Sequence, residues 1–116
     1  MPGMTTTQRE SQQLFAGDFP RRFITVTIAT DQRLAAGAVL GKVTARDEYN
    51  LSAATATDGS ENPSVVLAEP VDTTAGPAPA EAIVSGDLKG TELTLGAGHT
   101  LEAVREVLRK VSIFIQ

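Results

Sequence analysis

The sequence predicts one small, mainly β domain with a single helix near its C-terminal end and a flexible N-terminal arm. The chain has 116 residues, the size of one domain. β-Branched residues alternate with polar ones from Phe23 to Thr30, and one helical period runs from Leu101 to Val111. Only 4% of the residues are aromatic, so the core must consist of Val, Ile, Leu and Ala. A core of this kind is modest, and we therefore expect the protein to oligomerise.

The first part of the chain predicts an arm rather than a folded element. The stretch Met1–Gln13 is polar and holds too little apolar surface to cover a core. The stretch Leu14–Phe23 differs, because it contains three of the four phenylalanines of the chain. Gly17 and Pro20 interrupt it, so a regular helix is not expected there.

The first half of the remaining chain predicts two strands. The alternation from Phe23 to Thr30 is typical of a half-buried strand. Asp31–Arg33 follows as a turn, and Leu34–Thr44 reads as a tight or bulged strand because it contains two glycines.

The second half predicts shorter strands and the helix. Val65–Ala68, Ala82–Val84 and Glu92–Leu95 are expected to be short strands. Asp72–Glu81 is expected to be a surface loop because it contains two prolines and a glycine. Ser112–Ile115 is predicted to be the last strand.

The predicted helix begins after Thr100, which is a suitable N-cap. Its apolar face would pack Val104, Val107 and Leu108 on the sheet, next to Leu101. On the opposite face Glu106 precedes Lys110 by four residues, the spacing of a favourable ion pair.

Composition excludes several classes of function. The absence of cysteine and the single histidine argue against thiol chemistry and zinc sites. The net charge of −4 has the wrong sign for holding a phosphate backbone, so nucleic acid is not an expected partner. The longest nearly apolar stretch, Leu34–Gly41, is far shorter than the roughly 20 residues of a membrane helix, so no membrane partner is expected.

Three motifs resemble chemical sites without completing one. Gly96–Leu101 has the layout of a dinucleotide-binding turn but lacks its third glycine, so a flexible strand-to-helix turn is expected. His99 is the only candidate general base, and nothing in the sequence indicates which serine or acid would be its partner. We therefore expect an exposed loop residue. Asp58–Pro63 lacks the alternating acids of a calcium loop and predicts a turn. The acidic excess of Asp47–Glu92 is typical of a solvated surface.

An ordered set of short motifs carries a resemblance to a known family. The set consists of Gly37–Ala45, Tyr49, Asp58–Ser60, Val66–Asp72, Leu93–Gly96 before a helix, and Ile113–Ile115. In this order and spacing it closely resembles lambda-type phage head decoration proteins, across Leu34–Gln116.

The resemblance implies a β-barrel or β-tulip-like domain without enzyme activity, cofactor or metal. It implies a homotrimer that binds the major capsid protein at three-fold positions on the outside of the expanded head. Such a cement protein stabilises the shell against packaged DNA. It would be made in the host cytoplasm and located on the outer capsid surface of the virion. On this basis residues 1–22 would form an extended capsid-binding arm and residues 23–116 the decoration domain.

The contacts of the arm are predicted from physical chemistry, because this segment departs from the family more than the rest. An exposed cluster of phenylalanines is costly, so we expect a partner to cover it. The predicted capsid-binding residues are Leu14, Phe15, Phe19, Pro20, Arg21, Arg22 and Phe23. The alternative is that Phe23 only begins a core strand and that Phe15 and Phe19 cap the barrel.

Two other classes of function stay open at this point. A small β carrier or binding module would use Lys42 as its attachment point, although Lys42 lies inside an apolar strand pattern and not at a hairpin tip. A small hydrolase would depend on His99.

Overall fold

A computed structural model describes residues 20–116, which are rich in strands. The strands are β1 (Arg22–Ile28), β2 (Arg33–Leu34), β3 (Val39–Val43), β4 (Glu48–Leu51), β5 (Pro63–Leu67), β6 (Val71–Asp72), β7 (Ala78–Leu88) and β8 (Ile113–Ile115). A short 3-10 helix spans Gly90–Glu92, and the helix α1 spans Leu101–Arg109.

Five strands close into a barrel. They follow the order β1-β4-β3-β5-β7, and β7 pairs back with β1. The β1–β7 pairing is antiparallel and runs from Arg22 opposite Ser85 to Ile28 opposite Ala78. The far end of β7 pairs in parallel with β8, while β2 and β6 form a separate small sheet. The predicted fold class, a mainly β barrel with one C-terminal helix, is confirmed for the described residues.

Two hydrophobic clusters hold the domain together, on opposite faces of the barrel wall. Alternate residues of the strands point into the barrel. The buried residues of the interior cluster are Val26, Ile28, Ala38, Leu40, Val65, Leu67, Ala80 and Ala82. The outer cluster lies under α1 and β8, and its buried residues are Val39, Val66, Ala68, Ile83, Leu88, Val104, Leu108, Ile113 and Ile115. All of these are Val, Ile, Leu or Ala, as the composition predicts.

The first predicted strand is confirmed. The second, predicted over Leu34–Thr44, is confirmed only over Val39–Val43, because Leu34 belongs to β2 and a turn at residues 36–37 separates it from β3. The alternation after Phe23 corresponds to β1, in which Val26 and Ile28 are buried. The glycine-containing strand corresponds to β3, and its pairing with β5 shifts register at Gly41, as expected of a bulge. A Cβ atom on Gly41 would lie 2.1 Å from the carbonyl oxygen of Ser60, so only glycine fits there.

The prediction of a strand at Glu92–Leu95 is wrong. The 3-10 helix ends at Glu92, and Thr94 makes only an isolated bridge with Ala38. The backbone of Thr94 is bonded to Gly37 and to Val39, so one residue rather than a run of four joins the sheet. Thr94 serves here as a single anchor between the 3-10 helix and α1.

The prediction of a surface loop over Asp72–Glu81 is partly wrong, because β7 already begins at Ala78. Pro79 stands in this strand opposite Thr27 of β1. In an antiparallel pair only alternate residues exchange backbone hydrogen bonds, and the bonded partners are Ile28 with Ala78 and Val26 with Ala80. Pro79 therefore loses no hydrogen bond to β1, which explains why a proline is accepted.

The helix α1 is confirmed with two corrections. The side chain of Thr100 accepts a hydrogen bond from the backbone N–H of Ala103, so Thr100 is the N-cap. Val104 and Leu108 are buried as predicted, but Val107 is 38% exposed because it lies at the edge of the apolar stripe. Glu106 pairs with Arg109, three residues away, and not with Lys110.

Candidate functional site

The N-terminal entry to β1 contains the described part of the predicted capsid-binding segment. Leu14, Phe15 and Phe19 lie outside the described residues. Pro20 is exposed, and its carbonyl oxygen accepts a hydrogen bond from Ser85 Oγ at 2.9 Å. Ser85 belongs to β7, so the chain is fixed to β7 just before β1 begins.

Two large apolar side chains are exposed at the start of β1. Phe23 is 41% exposed and Ile24 is 43% exposed, and Arg21 and Arg22 beside them are exposed as well. Phe23 lies opposite Ile83 of the outer cluster, whereas Ile24 lies opposite Ala82 of the barrel interior. Neighbouring residues thus present apolar surface on both faces of the strand. Their contact with a capsid stays a prediction.

A carboxylate of β7 lies beside β1. Thr25 Oγ1 donates a hydrogen bond to the carboxylate of Glu81. Glu69 lies on the other edge of β7, because its Oε2 accepts from the backbone N–H of Glu81 at 2.8 Å and the backbone groups of Glu81 point away from β1. The arginines at the start of β1 and Glu81 therefore give the strand a basic start and one acidic neighbour.

His99 is not the exposed loop residue that the sequence suggests. It is half-buried, and its Nε2 lies 3.0 Å from Ser52 Oγ. Ser52 is fully buried, so a substrate could not reach its hydroxyl. Among residues 20–116 no carboxylate is hydrogen-bonded to His99. The pair therefore lacks the arrangement of a catalytic triad and joins two loops instead.

The glycines before α1 belong to the same packing. A Cβ atom on Gly96 would lie 1.9 Å from the carbonyl oxygen of Ser52, and Gly98 has a φ of +83°. The backbone N–H of Ala54 donates to the carbonyl of Ala97 at 2.8 Å. Close approach of two backbone segments explains the glycines here, and no phosphate is needed to explain them.

The side chain of Asp58 accepts hydrogen bonds from within its own turn. The hydroxyl and the backbone N–H of Ser60 donate to Asp58 Oδ1 at 2.6 and 3.0 Å. These hydrogen bonds, the hydroxyl one foremost, hold the pKa of Asp58 below its ordinary value. The predicted turn is confirmed. No group of three or more His, Asp or Glu side chains within the described part of the chain is placed to hold a metal ion.

Lys42, the attachment point of the carrier hypothesis, lies in β3 opposite Tyr49 of β4. Its Nζ is 3.4 Å from Asp47 Oδ1, in an exposed ion pair. The tip of this hairpin lies beyond Val43, so Lys42 is not at the tip. No observation favours the carrier function. None of the helices within residues 20–116 is both long and apolar enough to cross a membrane.

Comparison with known families finds a match. A family model described as bacteriophage lambda head decoration protein D matches residues 4–112. The match covers nearly the whole chain. It includes the segment Leu14–Phe23 and every motif that carries the resemblance except Ile113–Ile115. A search of curated proteins found no match.

Proposed function

Because the chain belongs to the family of the bacteriophage lambda head decoration protein D, we propose that it binds the outside of the expanded phage head as trimers. The family itself is one of structural capsid proteins. A role in decorating the capsid and a place on the capsid in the virion follow from membership. The proposal adds the three-fold positions, the major capsid protein as direct partner, and stabilisation of the shell against packaged DNA.

The match over residues 4–112 is the observation that carries this proposal. Three physical features support it. The core contains no buried aromatic residue among residues 20–116, so association would add stability that the core supplies only modestly. The net charge of −4 suits the outer surface of a shell better than the surface that faces DNA. Phe23 and Ile24 present apolar surface beside the predicted arm.

The arm is proposed as the attachment element. In this proposal Leu14–Phe19 lies extended along the capsid protein, with Phe15 and Phe19 in apolar pockets and with Arg21 and Arg22 paired with acids. Pro20 is held by Ser85, so the arm leaves the barrel from a fixed point. A fixed point of departure lowers the conformational cost of placing the arm on a partner.

Cosedimentation with purified capsids tests the function. The intact protein should sediment with expanded capsids of its phage and much less with unexpanded ones. A reconstruction should show density at the three-fold positions, and decorated heads should survive a higher internal pressure. Decoration by isolated monomers away from the three-fold positions would contradict the trimer, and failure to bind either capsid would contradict the function.

Truncation tests the arm separately. Removing residues 1–19 leaves every described element intact and should weaken capsid binding strongly. Replacing Phe15 and Phe19 by alanine should reproduce most of this loss. The matched control removes residues 1–13 only, and it should bind nearly as well as the intact chain because that stretch carries no anchor. Equal binding of the 1–19 truncation and the intact chain would show that the barrel attaches without the arm.

A further inference from the structure

The turn Asp58–Glu61 contains a pair of residues that is chemically reactive in unfolded chains. Asp58 is the only aspartate in the sequence that a glycine follows, and no asparagine is followed by one. In an Asp-Gly pair the backbone nitrogen of the glycine can attack the carboxyl carbon of the aspartate, because glycine has no side chain that shields this nitrogen. The proposed function makes no use of this turn, so the presence of the pair needs another reason.

The packing of the turn against β3 requires both residues. Gly59 has a φ of +104°, and a Cβ atom on it would collide with Thr44 Oγ1 and lie 2.9 Å from the carbonyl oxygen of Lys42. Only glycine fits there. Asp58 is needed because its Oδ1 accepts from the hydroxyl of Ser60 at 2.6 Å and from the backbone N–H of Ser60 at 3.0 Å. The turn is therefore built on the aspartyl pair that isomerises most readily.

The isomerisation of this pair follows a defined course. The Gly59 nitrogen loses its proton and forms a bond to Asp58 Cγ, while the hydroxyl of the neutral carboxyl group leaves Cγ and takes up that proton to become water. The product is a five-membered succinimide ring. A water molecule from the solvent then opens the ring at the former backbone carbonyl, which yields an isoaspartate whose main chain runs through Cγ. Solvent water is the only co-reactant of the two steps.

The carboxyl group of Asp58 is held in its unreactive form. Ring closure needs a neutral carboxyl group and converts Cγ from planar to tetrahedral. The two hydrogen bonds from Ser60 favour the ionised group, and they, the one from the hydroxyl foremost, keep the pKa of Asp58 below its ordinary value. Hydrogen bonds to a charged oxygen are the stronger ones, so both would weaken on the way to the ring.

The other atoms of the ring are held as well. The N–H of Gly59 donates to Glu61 Oε1 at 2.8 Å. This proton must leave before the nitrogen attacks, and the neighbouring carboxylate opposes the negative charge that then develops on the nitrogen. The carbonyl of Asp58 accepts from the backbone N–H of Thr44 at 2.8 Å, which fixes the peptide group between the two residues. The carboxyl, the nitrogen and the carbonyl of the future ring are thus all engaged elsewhere.

We propose that Asp58–Gly59 is a latent isomerisation site, which the folded turn keeps closed through Ser60, Glu61 and Thr44. When the turn opens, the pair is free to form the succinimide. The product would not fit the fold, because the carbonyl oxygen of Ser60 lies against Gly41 of β3 so closely that no Cβ atom is accommodated. An isoaspartate lengthens the main chain by one carbon just before this contact, so the modified turn could not keep its place on β3.

The rate of isoaspartate formation in the unmodified protein tests the proposal. The protein is incubated at neutral pH in its folded form and, in parallel, unfolded in urea. Peptide mapping with electron-transfer fragmentation then measures the isoaspartate at position 58. The folded chain should isomerise at least about tenfold more slowly, because a single hydrogen bond to a charged group is already worth about this factor. Equal rates in the folded and the unfolded chain would overturn the proposal.

Ser60→Ala and Glu61→Ala test which contacts keep the site closed. For each variant the rate in the unfolded chain is divided by the rate in the folded chain, which removes any effect of the substitution on the intrinsic chemistry. This ratio should fall at least about threefold in both variants. It should not change in the matched control Ser64→Ala, whose hydroxyl lies outside the turn, 3.5 Å from the carbonyl oxygen of Leu40.

An unchanged ratio in either folded variant would overturn the proposal. A higher ratio in Glu61→Ala would overturn it too, because Glu61 would then be the base that removes the proton of Gly59. Thermal melts establish that each variant is folded during the incubation. If a variant does not fold, the comparison of the folded and unfolded unmodified protein still decides.

Discussion

The two halves of β1 follow one alternating pattern and lie in different surroundings. In the second half Val26 and Ile28 are buried inside the barrel, and β4 joins at Ile28. In the first half Ile24 points to the same face, yet it is 43% exposed because β4 does not extend that far. Alternation determines which face a side chain takes, and only the neighbouring strands determine whether that face is covered. The second half serves stability, while the first half is available to a partner.

The largest expected effect comes from shortening a buried side chain in the second half of β1. Ile28→Ala should lower the free energy of unfolding by about 2 to 5 kcal/mol, because Ile28 is fully buried and the barrel cannot close around the cavity. Denaturant titration of purified protein measures the loss. A loss below about 0.5 kcal/mol would show that the interior cluster does not hold the barrel together.

Thr73 links the covered half of β1 to β6, and its removal should have the next largest effect. The fully buried hydroxyl of Thr73 donates to the carbonyl of Ala29 and accepts from the N–H of Gln32. Thr73→Val keeps the shape but leaves these groups unpaired, which should cost about 1 to 3 kcal/mol. Thr74→Val in the same turn is the exposed control and should cost less. Equal losses would mean that burial of Thr73 is not what matters.

Substituting Ile24 tests the difference between the two halves directly, because Ile24 lies on the same face of β1 as Ile28. Ile24→Ala should lower the free energy of unfolding by only about 1 kcal/mol, because much of the side chain is already in water. The same substitution should weaken capsid binding, whereas Ile28→Ala should do so only through unfolding. A loss of stability as large as that of Ile28→Ala would contradict the difference between the halves.

The smallest expected effect is a loss of stability at acid pH that comes from Asp72, in the small sheet of β2 and β6. The backbone N–H and the hydroxyl of Thr74 donate to Asp72, and Arg33 lies nearby; together they lower the pKa of Asp72. A carboxyl with a lowered folded pKa stabilises the fold above its unfolded pKa, and this contribution is lost as the pH falls below about 4.

Thermal melts between neutral and acid pH should show this loss, and Asp72→Asn should reduce it. The change is small because the carboxyl is exposed. If Asp72→Asn lost as much stability between neutral and acid pH as the unmodified protein, Asp72 would not contribute to the pH dependence.

Local signals in the sequence were sufficient for the elements that depend on local physics. Alternation predicts β1, and Thr100 before an apolar period predicts α1 with its cap. Val107 shows the limit of this reasoning, because the helical period alone does not tell how wide the contact with the sheet is. Pro79 shows another limit. A proline is accepted in β7 because its position exchanges no backbone hydrogen bonds with β1, and the sequence does not show which positions these are.

The arrangement of the candidate site depends on contacts between distant residues, and the sequence carries no local signal for them. His99 was predicted to be exposed because nothing in the sequence marks Ser52 as its partner. The sequence also does not show that β4 pairs with β1 only at Ile28, since alternation does not reveal where a neighbouring strand ends. The exposed start of β1 was the exception, because Phe23 beside two arginines is visible in the sequence.

The pairing of β1 with β7 has a consequence for the order in which the molecule is made. Thr25 and Glu81 are partners although 56 residues separate them in the chain. Contacts of this range make folding slow, typically in milliseconds to seconds. A ribosome adds about 5 to 20 residues per second, so β1 waits roughly 3 to 11 seconds for β7 to be synthesised. During that interval Val26 and Ile28 have no barrel to enter, and the nascent chain is most exposed to aggregation.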